Sequence, residues 1–284
     1  MAADKAEDMD QSASAKIEVT GIPAFRDNRV WCVSREREAV IVDPGDAAPV
    51  FDHLEKTGLD PVALLVTHHH ADHVGGIAEL CQRYPGIPVF GPGVESITGV
   101  SRPLAGGEQF SLLAARWRVM AVPGHTRGHL AYSLDAGPDE ATATRPPLQL
   151  FSGDVLFGLG CGRLFEGTAK QMADSLASIA ALPDDTRVYC AHEYTALGVP
   201  FARLVMAGDE TLQRRIEVVL RGDDAGESTL PLRLGEEKAT NPFLRCRDPQ
   251  VIATAARHSG LAEAALAGDP VAVFAILREW RNQF

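Results

Sequence analysis

The stretch Pro61-Val-Ala-Leu-Leu-Val66-Thr67-His68-His69-His70-Ala71-Asp72-His73-Val74-Gly75-Gly76 decides how this chain is read. Pro61 to Val66 has the length and apolar composition of a buried strand, and the glycines after Val74 release the chain into a helix expected over Ile77 to Tyr84. Between the two, His68, His70, Asp72 and His73 crowd four nitrogen or oxygen donors into six residues. They sit at a strand's C-terminal end, where open α/β layers gather their sites. Such a density of donors points to metal.

Three more strand ends repeat the pattern. Pro123-Gly124-His125-Thr126-Arg127-Gly128-His129 follows an expected strand over Trp117–Val122, and its glycines let the backbone turn tightly at His125. Ser152-Gly153-Asp154 follows Leu148–Phe151, and His192 follows Arg187–Cys190. Four separate strand ends thus each deliver a metal donor, which is how a site is assembled on a rigid sheet. His69 is expected to point away from it, and His129 to be a hydrogen-bond partner rather than a ligand. Cys161 and Cys190, though close in sequence to these segments, read as packing residues.

The rest of the chain bounds the class. With 284 residues, 45% of them hydrophobic, it can bury a substantial core in one large or two unequal domains. Further strands are expected at Val30–Val33, Ala39–Val42, Pro88–Phe90 and Leu130–Leu134, with helices at Val50–Lys56 and Lys170–Ala181. Beyond His192 the periodicity turns helical, near Phe201–Met206, Asp209–Arg221, Pro249–His258 and Asp269–Arg281. A boundary at residue 192 follows. Asp135–Pro147 reads as a surface hairpin and Asp223–Thr240 as a loop. Residues 1–16 are polar, with no apolar signal-peptide core, and are expected to form a disordered tail on a cytoplasmic protein. No run is long and apolar enough for a membrane span. A net charge of −11 and a pI near 5.3 disfavour nucleic-acid partners. The five cysteines include no C-x-x-C pair, so neither a disulfide framework nor a thiolate-bound zinc is indicated.

The series H-x-H-x-D-H, P-G-H-T-x-G-H, S-G-D and a late His resembles the metallo-β-lactamase superfamily. Within it, residues 17 to 284 are similar to glyoxalase II, the hydroxyacylglutathione hydrolases. The similarity rests on Val42-Asp43-Pro44-Gly45, Gly160-Cys161-Gly162-Arg163-Leu164-Phe165-Glu166-Gly167-Thr168, Cys190-Ala191-His192-Glu193-Tyr194-Thr195, Asn241-Pro242-Phe243-Leu244-Arg245 and the ending Arg278-Glu279-Trp280-Arg281-Asn282-Gln283-Phe284. The resemblance implies an α/β fold, an αββα metallo-β-lactamase sandwich over residues 17–192, followed by a smaller helical glutathione-binding domain over 193–284. It implies two divalent metal ions per chain, zinc first with iron or manganese open. One would be held by His68, His70 and His125, the other by Asp72, His73 and His192, and Asp154 would bridge them.

The implied activity is hydrolysis of S-(2-hydroxyacyl)glutathione thioesters, chiefly S-D-lactoylglutathione, by a hydroxide held between the metals, in methylglyoxal detoxification. No separate catalytic side chain is implied. Arg163, Phe165, Tyr194, Arg278 and Arg281 match the family's substrate-binding positions, and the partner is a small-molecule glutathione thioester bound by a monomer. Arg278 and Arg281 are spaced to share one helix face, and a guanidinium suits a carboxylate. Two positions depart from a common family pattern: Arg281 stands where Lys is frequent, and Phe165 stands where some members carry Tyr. The alternative is a glutathione persulfide dioxygenase holding a single iron through His68, His125 and Asp154. Against it stand the C-terminal segments from Arg278 to Phe284. A lactamase or phosphodiesterase of the same fold is disfavoured by the acidic composition and the polar start, and a non-catalytic member by the presence of all seven donors.

Overall fold

The computed structural model describes residues 16–138 and 144–284. The expected N-terminal tail, apart from Lys16, and the middle of the expected hairpin at Asp135–Pro147 lie outside the described residues.

Two six-stranded sheets form the centre. The first is laid down in chain order: β1 (Glu18–Ala24), β2 (Asn28–Arg35), β3 (Glu38–Val42), β4 (Asp60–Leu65), β5 (Val89–Pro92) and β6 (Arg102–Leu104), antiparallel up to β3 and parallel from there. The second contains β7 (Gln109–Leu112), β8 (Ala115–Ala121), β9 (Leu130–Asp135) and β10 (Gln149–Gly153). After a two-stranded ribbon, β11 (Leu156–Phe157) and β12 (Gly160–Cys161), it is completed by β13 (Arg187–Cys190) and β14 (Leu232–Arg233), in the order β14-β13-β10-β9-β8-β7.

Alternation along the strands builds the layers. Val40 and Val42 of β3 and Ala63 and Leu65 of β4 face Trp117, Tyr132, Phe151 and Tyr189 of the second sheet. Their neighbours Ala39, Ile41 and Leu64 face the other way, against α1 (Ala47–Thr57) and α3 (Ile77–Arg83) through Val50, Leu54, Ile77 and Leu80. A period of two therefore gives each sheet two buried faces. The outer face of the second sheet, with Ala131, Leu150 and Val188, is covered by Met172, Leu176 and Ile179 of α4 (Ala169–Ala180), which starts with a capping box between Thr168 and Gln171. An α-β-β-α stack results.

After β13 the chain is helical apart from β14. Helices α5 (Thr195–Val205), α6 (Glu210–Asp224), α7 (Leu234–Thr240), α8 (Pro249–Ser259), α9 (Glu263–Leu266) and α10 (Pro270–Arg281) follow one another, with a 3-10 turn at Pro242–Leu244. Asp209, Asp248 and Asp269 cap α6, α8 and α10. Phe201, Ile216, Val251, Phe274 and Leu277 share one cluster with Leu150, Leu176 and Val188. The helical part is thus packed onto the sandwich by a common core.

The loop expected at Asp223–Thr240 is a correction. Leu232 and Arg233 pair with Val188 and Arg187, and Leu234–Thr240 is helical. The Gly-, Glu- and Ser-rich composition concealed that Leu232, Leu234, Glu237 and Thr240 are buried. Similarly, α5 starts at Thr195 rather than near Phe201, and it runs through Pro200, a residue that disfavours a helix interior.

Glu237 holds these parts together. Its buried carboxylate pairs with Arg215, accepts the Leu159 N–H at 3.0 Å and accepts Asn241 Nδ2 at 3.0 Å. Asn241 Nδ2 also donates to Phe157 O and Gly160 O, at 3.1 and 3.0 Å, so the β11–β12 ribbon is fixed to the helices. Removing one member of a buried, hydrogen-bonded pair strands the other charge. Glu237→Ala is expected to lower the unfolding free energy by about 3–5 kcal/mol in denaturant titration; a loss below about 1 kcal/mol would show that this pair does not tie the layers.

Candidate metal centre

The strand ends of both sheets meet at one edge of the sandwich. β4 leads into Thr67-His68-His69-His70, and the short helix α2 (Ala71–Val74) then presents Asp72 and His73. β8 leads to His125, β10 to Asp154 and β13 to His192. At Gly153 the backbone takes φ +49°, and a Cβ there would lie 2.5 Å from Thr67 Oγ1, so glycine allows the two sheets' ends to close on each other.

The seven expected donors converge in two groups. His70 Nδ1 lies 3.0 Å from both His68 Nε2 and His125 Nε2. An imidazole nitrogen carries either one proton or one lone pair, so His70 Nδ1 cannot satisfy both neighbours by hydrogen bonding. A shared cation can: bonds of about 2.0–2.1 Å in a tetrahedral shell place neighbouring donors about 3.3 Å apart. In the second group, Asp72 Oδ2 lies 3.7 Å from His73 Nε2 and 3.4 Å from His192 Nε2. Asp154 stands between the groups. Its Oδ2 is 3.4 Å from His125 Nε2, while Oδ1 is 3.5 Å from His73 Nε2 and 3.4 Å from His192 Nε2. His73 Nε2 and Asp154 Oδ1 are buried without a hydrogen-bond partner. Buried polar atoms are rarely left so, and a pair of cations fits both orphans.

The electrostatics agree with this fit. Burial, then the neighbouring imidazoles, press His68 well below the usual histidine range, and burial also lowers His70 and His125, so the first group is kept neutral and able to donate lone pairs. Burial would raise the Asp154 carboxyl, but His73, His192 and His125 overcome it and hold it low. Burial likewise works against charging His73, yet Asp154 and Asp43 lift it to about 9, and Asp154 and Asp27 lift His192 against its burial. The carboxylates favour positive charge here, which a divalent cation supplies without a proton.

Every proposed ligand except His70 is aimed by a second residue. Asp43, in the left-handed region at φ +53°, accepts Thr67 N at 2.7 Å and Thr67 Oγ1 at 2.8 Å, and lies 3.1 Å from His73 Nδ1. Thr67 Oγ1 is 3.1 Å from His68 Nδ1. Arg163 O faces His125 Nδ1 at 2.9 Å, Asp27 Oδ1 faces His192 Nδ1 at 2.8 Å, and Asn28 Nδ2 donates to Asp72 Oδ2 at 2.9 Å. His129 Nε2 accepts the Asp154 N–H at 3.1 Å while its ring stacks on His68. Such outer partners fix the tautomer and orientation of ligands. Sequence reasoning singled out none of Asp27, Asn28 or Thr67. The signal available was their place beside strand ends, which a turn residue shares.

A cleft of about 990 Å³ opens over these groups. All five expected substrate-binding residues border it. Phe165 is 62% exposed, its ring edge-on to His70 and His125 at 5.4 and 5.2 Å. Tyr194 stacks on His192 at 4.7 Å. Arg278 is only 5% exposed: Nη1 donates to Cys161 O at 2.9 Å and Nη2 to Asn282 Oδ1 at 3.1 Å. Arg281 donates to Leu197 O at 2.9 Å, and burial with the Arg278 and Arg163 charges lowers its pKa. Cys161 lines the cleft with its thiol pushed up by burial, and Cys190 is fully buried.

A family model described as the metallo-beta-lactamase superfamily matches residues 25–96, and one described as the hydroxyacylglutathione hydrolase C-terminus matches residues 193–284. Hydroxyacylglutathione hydrolase of Dechloromonas aromatica is 50% identical over 277 residues, covering 94% of this chain and all of the relative. That of Nitrosomonas eutropha is 45% identical over 270 residues, covering 94% and 99%. Among solved structures, ETHE1 from Myxococcus xanthus shares the fold with a TM-score of 0.59 at 23% identity, over 90% of this chain and 96% of that one. TTHA1623 in a di-iron-bound form has a TM-score of 0.53 at 27% identity, over 80% and 100%.

If Asp154 joins the two groups, Asp154→Ala is expected to drop bound metal from about two ions per chain to one or fewer, read by elemental mass spectrometry of the purified protein. Retention of two would contradict the bridging role.

Proposed function

Since the chain belongs to the hydroxyacylglutathione hydrolase family, we propose that it hydrolyses S-(2-hydroxyacyl)glutathione thioesters, chiefly S-D-lactoylglutathione, at the strand-end cleft with His68, His70, His125, Asp72, His73, His192 and Asp154 holding two divalent metal ions. The observation that carries the site is the division of Asp154's two oxygens between two sets of imidazole nitrogens. The donors are all nitrogen and oxygen, a set that suits zinc and equally admits iron or manganese. Zinc is the first choice. Two such ions supply a hydroxide nucleophile near neutral pH and offset charge on the thioester carbonyl oxygen.

The chain's own residues do the rest. Asp154 and Asp72 stay ionised and so keep two negative charges at the centre; burial opposes this for Asp72, and His73 and Asn28 overcome it. Phe165 and Tyr194 flank the centre from the His125 and His192 sides and wall off the reacting carbonyl. Glutathione leaves as a thiolate, whose conjugate acid has a pKa of about 8.5, so no acid triad is required. Arg163, Arg278 and Arg281 make a patch of positive charge bordering the cleft, to which no carboxylate is ion-paired among the described residues, suited to a carboxylate of glutathione. Of the pair on α10, Arg278 is committed to the Cys161 carbonyl and Asn282 and fixes the helix; Arg281 is the freer to meet substrate.

Residues 17–192 serve as the catalytic part and 193–284 as the glutathione-binding part. Each chain carries the whole donor set, so a monomer suffices. No helix among the described residues is long and apolar enough to cross a membrane. The free cysteines suit a reducing compartment, in keeping with the cytoplasm. The second donor group, Asp72 with His73 and His192, has no use in the single-iron dioxygenase alternative.

Thiol release from S-D-lactoylglutathione should be lost on chelation and return with zinc, iron or manganese; no hydrolysis by the metal-loaded protein would reject the reading. A charged hydrogen bond is worth about 1.5–3 kcal/mol, so Arg281→Ala should raise KM for glutathione thioesters about tenfold or more while sparing simple thioesters. An unchanged KM would remove Arg281 from the substrate contacts.

A further inference from the structure

His69 lies in the densest ligand run of the chain, yet it faces neither donor group. Its Nδ1 is 2.9 Å from Glu95 Oε2 and its Nε2 3.2 Å from Glu166 Oε1. Glu95 is a buried side chain, and its other oxygen is fully used: Oε1 accepts Thr126 Oγ1 at 2.5 Å and Gly128 N at 2.9 Å. Glu166 Oε2 accepts Arg127 N at 3.1 Å. The two edges of the imidazole thus meet two different carboxylates, so the ring spans the gap between Glu95 and Glu166.

The strut joins loops that do different work. Glu95 grips the turn carrying His125, and Glu166 follows Phe165 in the segment that borders the cleft. That segment is laid against the same turn by Phe165 N to His125 O at 3.2 Å and Gly167 N to Gly124 O at 3.2 Å. We propose that His69, clamped between Glu95 and Glu166, is a positioning residue that locks the substrate segment 163–167 to the ligand loops 67–73 and 123–129. Phe165 and Arg163 then keep their place over the centre when the cleft is empty, so less ordering is left for substrate binding.

The kinetic half of this proposal rests on the glutathione thioesterase reading; the structural half does not. Glu166→Ala in the full-length, metal-loaded protein should raise KM for S-D-lactoylglutathione about tenfold with kcat within about twofold and both metals retained. Glu166→Gln, which keeps an acceptor for His69, should recover most of the affinity. His69→Ala should match Glu166→Ala, and the double variant should be no worse than either, since the two act as one unit. Amide hydrogen exchange at 163–167 and Arg127 should quicken about tenfold in both alanine variants. Unchanged exchange overturns the strut, as does a loss confined to kcat and metal content, or one that multiplies in the double variant. If the unaltered protein hydrolyses no glutathione thioester, the substrate reading fails and exchange alone decides the strut.

Discussion

Asp154 is a buried carboxylate with imidazole nitrogens of three strand ends around it, and the architecture is organised to keep it there. Its N–H is held by His129, its two oxygens face different donor groups, and one of those oxygens has no hydrogen-bond partner. An isolated buried carboxylate would be costly, so the charge has to be met by protons or metal ions. The nearby His68, kept neutral by burial, cannot meet it with a proton, whereas His73 and His192 are drawn toward positive charge by the same carboxylate. A pair of divalent cations resolves both halves of this arrangement.

The layers explain how such a cluster is built from distant residues. Strands buried on both faces, as β3, β4 and β10 are, leave no slack along their length, so the turns at their ends are held to the same edge. Trp31 crosses between the sheets to donate to Cys190 O at 3.0 Å, and Tyr132 donates to Val66 O at 2.7 Å, which ties the His192 and His68 strands to their opposite layers. The helices from α5 to α10 add a further wall. They are fixed by the shared apolar core and by the Glu237–Asn241 contacts to the ribbon that carries Phe157 and Cys161. Cleft-lining residues therefore come from parts of the chain more than a hundred residues apart.

Much of this was legible in the sequence because the signals are local. An apolar run followed by a glycine-bounded cluster of histidines marks a strand end whatever its neighbours are, and so β4, β8, β10 and β13 were found with the donors they deliver. Strands whose pairing supplies their stability were not: β1 is half-exposed, and β6 and β14 are two or three residues long. Helix α7 was hidden because Glu237 looks like a surface residue until Arg215, twenty-two positions away, is brought to it. The same limit applies to the site. His68 and Asp154 could be named from their turns, whereas Asp27 and Glu95 act through partners distant in the chain, as far as His192 in the case of Asp27. Arg278 was legible as a cleft residue but not as a buried one, because its acceptor, Cys161 O, is a backbone atom of a distant ribbon.

The central claim is that one carboxylate joins two separately liganded ions. Anomalous diffraction from crystals of the zinc-loaded protein tests it most directly. Two peaks are predicted, one beside His68, His70 and His125 and one beside Asp72, His73 and His192, with an oxygen of Asp154 next to each. A single peak at full zinc loading, or two peaks with Asp154 turned away from either, would contradict it.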